Sequence, residues 1–133
     1  MNGTIEFTYD RENDVVIAVP RWDLQTVEDI EGWFGQWCEY FTANFDRKVD
    51  LIIDVTHMRL NAKVGVPFGE YRVKVHHMYT NRSYRVHCVG TIDFFTKTSA
   101  VRLNGPADTC GSVEEALALL KSDRAKDAAQ AKK

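Results

Sequence analysis

Val49-Asp50-Leu51-Ile52-Ile53-Asp54-Val55-Thr56 is a short apolar run that ends in an acidic residue. The segment His57-Met58-Arg59-Leu60-Asn61-Ala62-Lys63 follows, and then a patterned stretch that reads as a helix. A parallel strand covered on both faces has this form, because neither side of its pleat meets water. Its C-terminal end delivers polar groups to the edge of an open α/β sheet, where such folds bind their ligands.

Working outward, the flanks alternate between strand and helix. Thr4 to Tyr9 alternates Ile5, Phe7 and Tyr9 with Thr4, Glu6 and Thr8, a half-exposed strand. Asp10 to Asp14 turns the chain into Val15–Val19, apolar on both faces, which Pro20 is expected to end. Thr26 is placed as the N-cap of a helix running to about Phe45, with Glu28 and Asp29 in its first turn. The expected inner stripe is Val27, Ile30, Phe34, Trp37, Cys38, Phe41 and Phe45, with Trp33 and Tyr40 beside it and partly exposed.

Pro67 suits the first turn of a second helix, with Phe68, Tyr71, Val75 and Met78 as its stripe. Ser83–Val89 reads as a strand and Asp93–Leu103 as a helix that makes contacts through Phe94 or Phe95, Thr98 and Val101. Asn104-Gly105-Pro106 stops it. Ala107–Cys110 is short enough for an edge strand, and Ser112-Val113-Glu114-Glu115 is a capping box that opens a last helix. The order is therefore β-β-α-β-α-β-α-(β)-α. It predicts a single α/β domain over 1–121, with a mostly parallel sheet of four to five strands, an antiparallel N-terminal edge strand and about four helices.

Residues 122–133 carry no large apolar side chain and are expected as a polar tail, frayed or disordered. Deleting them is expected to cost less than about 1 kcal/mol.

The chain has 133 residues and a net charge of −2, which gives no bulk attraction to nucleic acid. From Lys121 onward five basic residues stand against two acidic ones, so the body is the more acidic part. Cys38, Cys88 and Cys110 are odd in number and widely spaced, without a CxxC, and read as buried thiols in a reducing compartment. The N-terminus lacks the basic and apolar parts of a signal peptide, and no apolar run has the length of a membrane span. A cytoplasmic location is expected.

The element order resembles the STAS superfamily. So do the strand ending Asp54-Val55-Thr56 and the segment Thr109-Cys110-Gly111-Ser112-Val113-Glu114-Glu115-Ala116-Leu117. In particular the chain resembles stand-alone STAS-like proteins related to bacterial anti-sigma-factor antagonists. The resemblance covers roughly residues 4 to 120. It implies a non-catalytic regulatory or protein-interaction module. Regulatory members of the family are phosphorylated on a serine or threonine where the loop after the third strand enters the next helix. The matching stretch here is Leu60-Asn61-Ala62-Lys63-Val64-Gly65, with Ala62 or Lys63 at the acceptor position, and it contains no hydroxyl.

Thr56, His57, Arg59, Asn61 and Lys63 cluster within eight residues at the presumed strand edge and are the candidate ligand- or partner-binding residues. Trp33 and Tyr40 are the candidate interface aromatics. His76 and His77 point about 100° apart on a helix and so do not make a helical metal pair. Cys88 and His87 face opposite sides of a strand, which separates thiol from base. Asp54 reads as a carboxylate bonded to loop N–H groups. No catalytic residue, metal or cofactor is expected. The expected counterpart is a protein, a second copy of the chain included. The alternative is a small anionic or apolar ligand at the loop after the third strand and the first helix.

Overall fold

A computed structural model describes residues 3–131. The chain opens with an antiparallel hairpin, β1 (Gly3–Asp10) and β2 (Val15–Leu24). The turn is set by Asp10, whose carboxylate accepts from the Asn13 backbone and side-chain amides at 3.1 and 2.8 Å. Helix α1 (Val27–Asn44), β3 (Val49–Asp54) and a three-residue strand β4 (Met58–Leu60) follow. After a 3-10 turn at Ala62–Val64 come α2 (Gly65–Tyr79), β5 (Thr80–Val86), α3 (Gly90–Leu103), β6 (Thr109–Cys110) and α4 (Val113–Ala131).

The main sheet order is β1-β2-β3-β5-β6, parallel from β2 onward, with β4 pairing alongside β2 beyond the end of β3. Helices α1 and α2 cover one face, α3 packs on α2, and α4 alone covers part of the other. The alternation of each strand sorts its side chains accordingly. Val16, Ala18 and Leu51 enter the larger core, while Val15, Ile52, Tyr84 and Val86 meet Ala116 and Leu120 of α4.

Pro20 does not end β2. The Ile5 amide opposite it bonds to the Gln36 side chain at 2.8 Å, so Ile5 and Pro20 form a pair that exchanges no ladder bonds. The nitrogen of Pro20 therefore points away from β1. On that side β3 pairs only with Val15–Ala18 and β4 only with Trp22–Leu24, so the missing N–H falls in a gap where neither neighbour asks for it. The same Gln36 contact occupies the open edge of β1.

Helix α1 begins as expected. Thr26 accepts from the Asp29 amide at 3.1 Å, and the Asp29 carboxylate accepts from the Thr26 amide at 3.1 Å. Such a reciprocal cap stabilises a helix start by about 1 kcal/mol. Its buried stripe, however, is Ile30, Trp33, Trp37 and Phe41, while Val27 is 43% exposed. Trp33 is thus a core residue at 3% exposure, packed edge-on to Trp37 and tilted against Phe68. The expectation of Trp33 at the flank fails because α2 covers that side of α1. Tyr40 is half-buried and stacks on Phe7 at 4.0 Å.

Three further expectations change. Strand β5 stops at Val86 because His87 takes a left-handed conformation (φ 59°), which turns Cys88 into the core on the α1 and α2 side. On α3 the buried residues are Ile92, Thr96 and Ser99, while Phe94, Thr98 and Val101 face outward. Finally, α4 continues through Ser122 to Ala131, and Arg124 docks on the hairpin and β3. Lys132 and Lys133 of the expected tail lie outside the described residues.

Candidate functional site

The C-terminal ends of β3 and β5 lie side by side. Asp54 is in register with Val86, and the Val55 amide donates to the Val86 carbonyl at 3.1 Å. Thr56 and His57 therefore emerge next to His87 and the start of α3. The Asp54 carboxylate accepts from the Thr56 amide at 3.0 Å and from its hydroxyl at 2.5 Å, which fixes the turn. This is the role read for Asp54 from the sequence.

The segment His57–Lys63 is not a plain loop. Met58 and Leu60 are buried, and Arg59 between them points outward opposite Asp23 of β2. Asn61 then caps the 3-10 turn, its side-chain oxygen accepting from the Lys63 amide at 2.9 Å. Its amide nitrogen donates to the Gln25 side chain at 3.0 Å, and its backbone N–H donates to the Leu24 carbonyl at 2.9 Å. So Asn61 joins the end of β2 to the start of α2. It is a structural tie in which both ends of the side chain are used.

Of the five candidates, Thr56, His57, Arg59 and Lys63 are exposed and Asn61 is half-buried. Thr56 and His57 sit at the β3–β4 turn, Arg59 on the outer side of β4, and Asn61 and Lys63 at the entry to α2. They share one rim of the sheet without converging on a point. Among the described residues no three His, Cys, Asp or Glu side chains form a metal-binding group.

Beside this rim lies a surface that the sequence pattern assigned to the interior. Helix α3 touches β4 and turns Phe94 and Val101 outward at 62% and 90% exposure, with Val89 just before it at 73%. Gly90, Asp93, Phe94, Lys97, Thr98 and Val101 line a shallow groove along it, with Lys97 paired to Asp93 at 2.9 Å. The inner side of α3 combines Ile92 and Phe95 with the small Thr96 and Ser99, and it sits very close to α2. A Cβ on Gly69 would lie 2.7 Å from that of Ser99, and one on Gly65 would clash with the Phe95 ring. Glycines four apart facing Phe95 and Ser99, also four apart, are the sequence signal for this contact.

Cys88 is buried with its thiol pushed up, chiefly by burial, so it stays protonated and unreactive near neutrality. His87 beside it is exposed, and its left-handed backbone, not the alternation of a strand, separates it from the thiol.

No protein-family model matches the chain, and no curated protein matches it. Among solved structures it is similar to the crystal structure of an anti-sigma factor antagonist from Mycobacterium paratuberculosis. The TM-score is 0.61, over 89% of this chain and 95% of that one, at 9% identity. The chain has a STAS-like fold. The STAS-like frame accounts for the antiparallel edge strand, the parallel strands after it and the helix that opens just beyond β3 and β4. Within it, Ala62 and Lys63 stand at the helix entry, where Leu60–Gly65 offers no hydroxyl. No helix among the described residues is long and apolar enough to cross a membrane.

Proposed function

We propose that this chain is a non-catalytic regulatory module that binds a protein partner through one face. That face joins the rim residues Thr56, His57, Arg59 and Lys63 to the outer side of α3. The supporting observation is the pair Phe94 and Val101, held outward on α3 with Val89 exposed just before it, while the opposite side of the helix packs inward, largely on α2. An apolar strip flanked by charged groups, here Asp93 and Lys97, has the make-up of a protein contact. A second copy of the chain is one such partner. Trp33 is buried and contributes to this face only as support, and Tyr40 lies at α1, outside it.

Binding here does not depend on phosphorylation at the entry to α2, since Leu60–Gly65 has no acceptor. In this reading the chain works as a constitutive adaptor, or is switched by other means.

Variants test the face. Phe94→Ser with Val101→Ser removes apolar area that is already exposed, so the urea midpoint should stay within about 0.5 kcal/mol of the wild type. Used as bait in cells of the source organism, the wild-type chain should recover a stoichiometric protein, or itself. The double variant should recover at least about tenfold less, the scale of a lost hot spot. Equal recovery by both would remove the face from the account.

A further inference from the structure

Between the sheet and helices α1, α2 and α3 lies an internal cavity of about 30 Å³. Its lining is apolar along Trp33, Trp37, Met58 and Ile92, but two arginines enter it, Arg72 from α2 and Arg85 from β5. They are 8% and 4% exposed. Burying a guanidinium costs several kcal/mol unless charge and hydrogen bonds compensate. Here the hydrogen bonds are partial, and no carboxylate among the described residues makes a salt bridge to either group; the Asp108 carboxylate acts on Arg85 only from beyond salt-bridge distance.

Arg72 donates from Nε to the Ser99 hydroxyl at 2.8 Å and from Nη2 to the Thr96 carbonyl at 2.7 Å. Arg85 donates from Nε to the Asp108 carbonyl at 3.1 Å, and from Nη2 to the Ser83 carbonyl and to the Ser83 hydroxyl at 3.0 Å. All of these acceptors are neutral. Asp108 offers Arg85 its carbonyl and not its carboxylate. No described carboxylate makes a salt bridge to either arginine. Nη1 of both residues makes no hydrogen bond to the described residues.

The two guanidinium groups are close enough that the charge of Arg85 helps to pull Arg72 down, after burial itself. Burial leads the same effect at Arg85, and both end at about 10. Both are therefore still charged at neutral pH. His76, also on the lining, is held neutral there. The arginines of the cavity wall thus bring two positive charges and guanidinium N–H groups without an acceptor among the described residues.

We propose that this cavity is a binding site for a small inorganic anion of chloride size, held between the guanidinium groups of Arg72 and Arg85. An acceptor-only ion matches guanidinium donors without an acceptor. The volume admits one or two water-sized bodies, which excludes phosphate esters and acyl chains. Arg72 joins α2 to α3 through Ser99 and Thr96, so the anion would brace the helix pair that presents the outer face of α3. The site stands on the arginines alone and does not require the partner face.

Thermal unfolding of the full chain at constant ionic strength, with chloride replacing the much larger gluconate, reads the linkage. Between ~1 and ~100 mM chloride the midpoint should rise by several degrees and level off, as a saturable ligand of the folded state requires. In Arg72→Met and Arg85→Met the rise should disappear, while Lys63→Met should keep it. Diffraction from a wild-type crystal soaked in bromide supplies a second readout that needs no variant. An anomalous peak within hydrogen-bond distance of both guanidinium groups supports the site. A rise that never levels off, or that persists in the arginine variants, contradicts it. So does bromide on the outer surface only, with water in the cavity.

Discussion

His76 sits half-buried on α2, with Thr80 Oγ1 2.6 Å from its Nδ1. Burial is the main cause that lowers its pKa to about 4, with the charges of His77, Arg85, Arg72 and Lys48 adding to it. The unfolded chain takes up this proton near 6.5, so the group contributes stability above that pH and loses it as pH falls toward about 4. The expected outcome is a urea midpoint that declines more steeply across this window in the wild type than in His76→Gln; parallel curves would contradict the assignment. His76 also shows what a residue-level reading of the sequence reaches. The sequence excludes a His76–His77 metal pair from their spacing, but it cannot foresee that Arg72 and Arg85 would be buried around His76. Nothing local marks a buried arginine, because its burial depends on a neighbouring helix, here α3. The same holds for Trp33. Its place on the helix wheel was legible, but the width of the covered face was set by α2.

At the scale of elements, the long strands, the cap of α1 and the start of α4 were legible because each rests on local chemistry. The capping pairs Thr26 with Asp29 and Ser112 with Glu115 are visible in the sequence and present in the structure. Strand β4 was not legible, since three residues are too few to show a period. The length of α4 was missed because its anchor is polar. Arg124 gives two bonds to the Asp50 carboxylate, at 3.1 and 2.8 Å, and one each to the Asn13 and Asp14 carbonyls, at 2.6 and 2.8 Å. Tyr84 adds a bond to Asp123 at 2.7 Å. Deleting residues 122–133 leaves the Asp50 carboxylate buried without its cation and should cost more than about 2 kcal/mol. Deleting only residues 126–133 removes an Arg82–Asp127 pair with Asp127 largely exposed, and should cost less than about 1 kcal/mol. Urea unfolding of both truncations checks the contrast. Equal small losses would mean that Arg124 does not anchor the helix.

For the whole molecule, the alternation of strand and helix carried the STAS-like fold, and the hairpin carried its antiparallel edge. The outer side of α3 could not be read the same way. Phe94 and Val101 look like core residues until Gly65 and Gly69 are seen to draw the helix in on the side of Phe95 and Ser99. That inversion leaves an apolar strip beside Thr56 and His57, and the functional account rests on it. The most direct measurement is photo-crosslinking of the full chain, with a photoreactive residue at Phe94 in one variant and at Ala118 on the exposed side of α4 in another. The account predicts a discrete crosslinked species from position 94, to a partner or a second copy, and none from position 118. Crosslinking from 118 alone, or equally from both positions, would contradict it.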